Sequence, residues 1–382
     1  MTTQEAEPSA VAAVAAAPRA RTARLADRWH RFWTKTRPDW LTEEMLTGAR
    51  WGLVCVWLLL FVLKCATTGV PFDREGLLLW IATGAAAASL GKRAIATVVL
   101  DFLPLALVLV AYDYLRGVSD TLGMPTWWQP QIAVDKFLAG GTEPTLWLQE
   151  HLKYPSVQWY DIVVCLCYYS FFFLPYVTAG VLWMRGRRDF YRWSLRFVSL
   201  SFLGFAFFAL IPAAPPWAAA LCRPREVAGH PNFPACMQFW PHTVPGNMLG
   251  RWTGGQPHAH PFVERIAARG FSDLHLSVAH DLWTKGFSIA DPVAAVPSLH
   301  LGGTMLFVLF MWPRVRRWWR PILVAYPLVM TFTLVYSGEH YVADCLAGAL
   351  LAVLVQAAGN RIERRRERKR SPDTLETSPQ PA

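Results

Sequence analysis

The chain has 382 residues, of which 53% are hydrophobic, 14% aromatic and only 17% charged. Soluble proteins carry about 25% charged residues, so this balance, together with long uninterrupted apolar runs, excludes an ordinary water-soluble globule. The net charge of +10 (37 Lys and Arg against 27 Asp and Glu) is no nucleic-acid footprint, because the basic residues fall in short clusters between apolar runs and in two tails.

Residues 1–45 are rich in Ala, Pro and Arg. A secretory signal places positive charge before a strong apolar core; here Arg19 to Arg37 follow a weak Ala run. The segment therefore reads as a flexible basic cytoplasmic tail, with an amphipathic patch from Trp29 to Trp33 suited to the membrane surface. Residues 46–359 read as one helical membrane domain without internal repeats. A helix of about 18 or more apolar residues crosses a hydrocarbon layer of about 30 Å. Eight such segments are predicted, roughly at 47–65, 76–91, 94–112, 159–184, 190–211, 297–312, 321–337 and 341–359. Short cytoplasmic loops collect Lys and Arg. The N-terminal arginines, Lys92-Arg93, Arg185 to Arg188, Arg314 to Arg320 and Arg361 to Arg370 all fall on one side with eight spans, and an odd span count breaks the agreement.

The predicted fold is thus an all-α integral membrane protein with about eight transmembrane helices and both termini cytoplasmic, multi-pass in the cell membrane. Two long segments, at about 113–158 and 212–296, then lie on the extracytoplasmic side, and residues 360–382 form a second basic cytoplasmic tail that can touch anionic lipid. Cys55, Cys65, Cys165, Cys167 and Cys345 sit in or beside apolar runs, as small packing residues do. Cys165-x-Cys167 is too tightly spaced for a structural zinc site. Cys222 and Cys236 share the long 212–296 loop and are disulfide candidates if that loop is outside. Asp101, inside the third span, is either a proton-path residue or a bond between helices.

Three polar segments are placed by this topology on the outer face: Ile211-Pro212-Ala213-Ala214-Pro215-Pro216-Trp217, Ala295-Val296-Pro297-Ser298-Leu299-His300 and Ser337-Gly338-Glu339-His340-Tyr341-Val342-Ala343-Asp344. Polar groups at the ends of or within spans cost free energy and mark functional sites. His340 and Asp344, four apart, share a face if the segment is helical. A carboxylate on one ring nitrogen fixes the tautomer and leaves the other nitrogen as base or nucleophile. A second imidazole, His300, is then placed to protonate a leaving oxygen. Pro297 suits a first helical position, and Ser298 with the N–H groups of a helix start makes a place for phosphate. Trp217, Tyr341, Tyr168 and Asp161 are substrate-pocket candidates, each with a plainer reading as aromatic belt, packing or helix end. The loop histidines His230, His242, His258, His260, His275 and His280 have no strong metal spacing, so neither metal nor cofactor is expected.

Pro297-Ser298-Leu299-His300, followed some forty residues later by His340-Tyr341-Val342-Ala343-Asp344, resembles the type 2 phosphatidic acid phosphatase superfamily. The Ala214-Pro215-Pro216-Trp217 segment is similar to that of its inositol phosphorylceramide synthase-like branch. The resemblance covers roughly residues 160–350. It implies that His340 attacks phosphorus to form a phosphohistidine, that Asp344 orients it and that His300 serves as general acid and base. It also implies a lipid phosphate or phospholipid donor and an alcohol or lipid-linked glycan acceptor, or water for a phosphatase. The phosphatase branch has Arg six residues before the nucleophile, where this chain has Leu334, and Lys285 does not match its upstream Lys motif. Both differences favour transfer. The transferase branch often has His before the nucleophile, where this chain has Glu339. Cation candidates for the phosphate are Arg223, Arg225, Arg251, Arg265, Arg269 and Lys285. A transporter using Asp101 and Asp344, or an envelope scaffold, are the rival classes; the absence of an inverted repeat counts against the first.

Overall fold

The computed structural model describes residues 42–68, 74–90, 95–115, 122–229, 234–238, 246–250, 263–271 and 293–370. The N-terminal patch at Trp29–Trp33, Lys92-Arg93, Arg251, Lys285, the six loop histidines and the tail beyond Arg370 lie outside them. Each of the eight predicted segments holds a helix: α1 (Glu43–Thr68), α2 (Arg74–Ala88), α3 (Ile95–Leu115), α6 (Trp159–Arg185), α7 (Arg187–Leu210), α9 (Leu299–Met311), α10 (Arg320–Tyr336) and α11 (Val342–Arg370). Five of them, α1, α6, α7, α10 and α11, contain stretches long and apolar enough to cross a membrane, whereas α2, α3 and α9 contain shorter apolar helices.

Three further helices, α4 (Gln129–Leu138), α5 (Pro144–Leu152) and α8 (Pro216–Leu221), occupy segments that the sequence analysis leaves as loop. Each carries Pro in its first turn, where the missing N–H costs nothing. Among the described residues there is no β-strand. Only isolated parallel bridges join Trp127 to Ala213 and Ala213 to Ala294.

The main core fills the bundle with large rings. Phe102, Trp183, Phe190, Trp193, Phe197 and Phe310 are buried between α3, α6, α7 and α9. Asp101 is part of this packing. Its carboxylate accepts from Trp183 Nε1 at 2.8 Å and from Arg187 at 2.6 and 3.0 Å, and the Tyr191 hydroxyl also donates to it. A buried charge so fully partnered ties helices together, which selects the interhelix bond of the two readings above. At the far end α11 runs past the predicted boundary at 359 to Arg370. Glu363 and Glu367 on this extension meet Arg188, Arg192 and Arg196 of α7 at 2.5–3.2 Å, so paired charge continues the helix where apolar sequence ends.

The pairing that matters most for the site is α9 against α11. A Cβ on Gly348 would lie 2.1 Å from the Ser298 carbonyl oxygen, and one on Gly302 3.2 Å from the Gly348 carbonyl. The two helices therefore meet backbone to backbone, as small residues allow between membrane helices.

Candidate active site

Three loop segments converge above the α9–α11 contact, and backbone hydrogen bonds hold them. Trp127 N–H donates to the Pro212 carbonyl at 2.8 Å, and Ala214 N–H to the Trp127 carbonyl at 2.9 Å. Ala295 N–H donates to the Ala213 carbonyl at 3.1 Å, and Trp217 N–H to the Gly338 carbonyl at 3.1 Å. The Ala-Pro-Pro-Trp segment is thus the bracket that fixes both the entry to α9 and the turn before α11. Gly338 adopts φ +73° in that turn, a left-handed conformation that glycine takes at little cost.

On this frame the two imidazoles come together, with ring centroids 5.5 Å apart. His340 is buried. Its Nδ1 lies 3.0 Å from the Ala295 carbonyl oxygen and 3.5 Å from Asp344 Oδ2. Both neighbours are acceptors, so in the neutral ring Nδ1 is the nitrogen that carries the proton and Nε2 the one with the lone pair. The nearer acceptor, the Ala295 carbonyl, is absent from the sequence reading because no side chain marks it. His300 rests among aromatic rings of α6: stacked on Tyr168 at 4.7 Å and tilted against Phe171 at 4.3 Å.

The expectation that His340 and Asp344 share a helix face is corrected. α11 starts at Val342, so His340 precedes it and Asp344 is its third residue. Asp344 Oδ2 reaches back to accept from Tyr341 N–H at 2.9 Å, as a carboxylate in the first turn of a capping box does. Likewise Pro297 stands outside α9. Ser298 is the N-cap, its Oγ accepting from Leu301 N–H at 3.4 Å while its own N–H donates to the Asp344 carbonyl at 3.0 Å.

The helix that carries Asp344 has a second anchor. Asp135 of α4, wholly buried, accepts from Val342 N–H and Ala343 N–H, both at 2.8 Å. Burial pushes Asp135 up to about 6, against the pull of those two N–H groups, and the nearby Asp344 adds to the rise. Glu143, at the N-cap of α5, accepts from Leu146 N–H and is pushed up to about 7, first by burial. Neither acid was singled out from sequence; a Pro-initiated short helix with an inward acid is the signal that points to each.

Among the cation candidates, Arg265 meets the histidine turn. Arg265 Nε donates to Glu339 Oε1 at 2.6 Å, and its guanidinium sits 5.3 Å from the centre of the Trp217 ring. Its segment is clamped by Gln149, whose amide bonds Glu264 N–H and carbonyl and the Tyr336 carbonyl at 2.7–2.8 Å. Ile266 N–H donates to the Ser337 carbonyl. Lys153 lies 3.4 Å from the Glu264 carboxylate, and burial draws it down to about 8. Arg269 is instead spent on the Tyr154 and Pro155 carbonyls. Leu334 packs wholly buried in the core.

Asp161 is committed to structure: it closes a capping box with Gln158 at 2.8 Å and accepts from the Tyr336 hydroxyl at 2.9 Å. Tyr341 is buried in the same apolar cluster as Trp217. Cys222 and Cys236 are joined as a disulfide, with Cα atoms 5.3 Å apart, within the usual span of such a bridge. Among the described residues no three His, Cys, Asp or Glu side chains gather as metal ligands would.

Fold and site together define a helical membrane protein that brings together a buried and a half-buried histidine, with an arginine and carboxylates beside them, at one end of its bundle. The family model of the PAP2 superfamily matches residues 133–358. The chain belongs to that superfamily, whose members are typically phosphatases or phosphotransferases, and this supports a membrane enzyme. No curated protein and no solved structure matches it.

Proposed function

We propose that the protein moves a phosphoryl or phospho-headgroup, phosphoinositol included, from a lipid phosphate or phospholipid to an alcohol acceptor at the extracytoplasmic face. The observation that carries this reading is the approach of His300 to His340 at 5.5 Å, with Nδ1 of His340 turned to two acceptors. His340 Nε2 attacks phosphorus, the bond to the leaving oxygen breaks, and His300 delivers its proton to that oxygen. The acceptor hydroxyl then gives its proton to His300 and attacks phosphorus, and the P–N bond breaks. Asp344 and the Ala295 carbonyl hold the His340 ring. Arg265, steadied by Glu339 and Trp217, neutralises the phosphate oxygens, a task that Leu334 cannot perform.

Two observations support the outward orientation. A disulfide at Cys222–Cys236 suits an oxidising compartment, and the arginine clusters of α7, α10 and α11 lie at the opposite end, as cytoplasmic loops prefer. We infer eight spans with both termini cytoplasmic on the same ground. With water as acceptor the same site is a lipid phosphatase; the absence of an Arg at position 334 favours transfer. The test is His340→Ala, assayed on a panel of lipid phosphates and phospholipids with and without alcohol acceptors. Release or transfer of phosphate should vanish, and unchanged turnover would remove this mechanism.

A further inference from the structure

The ends of α9 and α11 remote from the histidines carry features that phosphoryl transfer does not use. At 1.5 Å per residue, Phe310 lies about 15 Å along α9 from His300, and Glu363 about 28 Å along α11 from Asp344. Between them and α7 opens a cavity of about 650 Å³, within the range of about 300–1,000 Å³ usual for small-molecule sites. Leu309 and Trp312 form an apolar wall, and Arg196, Arg314, Gln356 and Glu363 a polar one.

Arg196 is 3% exposed and locked in place. Its terminal nitrogens donate to Glu363 at 2.7 Å, to Asn360 at 2.9 Å and to the Arg192 carbonyl at 2.9 Å. Gly359 leaves room for it, since a Cβ there would lie 2.6 Å from Cζ. Yet its Nε–H has no hydrogen-bond partner among the described residues, and neither has the buried Gln356 Oε1. Arg314 adds a second guanidinium, 3.8 Å from the centre of the Phe310 ring. Arg314 is paired with Asp189 at 2.9 Å, and Arg188, Arg192 and Arg196 share Glu363 and Glu367, so four guanidinium groups face three carboxylates and one positive charge is left over. An unmet guanidinium donor with a second guanidinium on the same wall selects an anionic oxygen, the unmet amide oxygen selects a hydroxyl, and the apolar wall accommodates hydrocarbon.

We propose that this cavity is a second ligand site, distinct from the histidine pair, for a phosphate ester that carries a free hydroxyl. The proposal stands whether or not His340 is the nucleophile, because its test reads binding and not turnover. The full-length protein in detergent micelles is titrated with dioctanoyl phosphatidylglycerol, dioctanoyl phosphatidylcholine and glycerol phosphate, using calorimetry. Saturable phosphatidylglycerol binding is expected, at least tenfold tighter than phosphatidylcholine. It should weaken at least tenfold in Arg314→Gln and, with the charge untouched, in the cavity-filling Leu309→Trp, and persist in a His300→Ala/His340→Ala double variant. Glycerol phosphate binding as tightly assigns a free phosphate ester; glycerol phosphate failing to bind assigns a lipid headgroup, and either supports the site. Equal phosphatidylglycerol binding by the wild type and both cavity variants overturns it, as does loss of binding in the double histidine variant alone.

Discussion

The proposed mechanism gives His300 and Arg265 different work at the same phosphorus, and kinetics separate them. General acid catalysis contributes about 10²–10⁴-fold, but only where the leaving oxygen needs a proton. His300→Ala should therefore lose a factor in that range on an alkyl lipid phosphate and far less on a p-nitrophenyl ester, whose leaving group departs as an anion. Equal losses on both substrates would deny His300 the acid role. Arg265 acts on charge instead. Removing one preorganised donor to a developing oxyanion costs about 10²–10³-fold, so Arg265→Ala should show that loss on both substrates, with partial recovery in Arg265→Lys. An Arg265→Ala enzyme with unchanged kcat/KM would leave the phosphate to another cation. Arg265 and His340 have polar anchors outside the reaction: Arg265 bonds Glu339, and His340 bonds the Ala295 carbonyl.

At the scale of elements, the site depends on how α11 is started. Asp135 of α4 bonds the first two N–H groups of α11, and a cap of this kind is worth about 1 kcal/mol. Burial holds Asp135 at about 6 and Glu143 at about 7, both above their unfolded values. The folded protein then binds more protons than the unfolded chain between about pH 4 and pH 7. Stability from these acids is fully present below about pH 4 and is lost as pH rises through 6 and 7. The unfolding midpoint in detergent should accordingly fall between pH 5 and pH 8, and an Asp135→Asn/Glu143→Gln variant should show a shallower fall. A slope identical to that of the wild type would contradict this assignment. Short helices α4, α5 and α8 were opaque to apolar-run reading because each is too brief to show a period; their first-turn prolines were the available sign.

Across the whole molecule, what sequence could show followed from the solvent. Hydrocarbon demands long apolar helices, so all eight helix positions were readable, five of them meeting the length and hydropathy of a span. His300, His340, Asp344 and Ser298 stand out in the sequence as candidates because polar groups are conspicuous beside apolar runs. The sequence could not display what depends on backbone atoms and tertiary approach. The Ala295 carbonyl against His340, the Gly348–Ser298 contact, and the pairing of Arg265 with Glu339 all arise from chain paths far apart in sequence. Asp161 illustrates the converse: an acid at a helix start looks like a ligand group, and here its bonds go to Gln158 and Tyr336.

Rapid quenching of the full-length enzyme with a ³²P-labelled lipid phosphate puts the central step to trial. The account predicts an acid-labile, base-stable protein phosphate that maps to His340, forms within the first turnover and is absent in His340→Ala. Turnover without any protein-bound phosphate, or a phosphate that maps elsewhere in the chain, would contradict it.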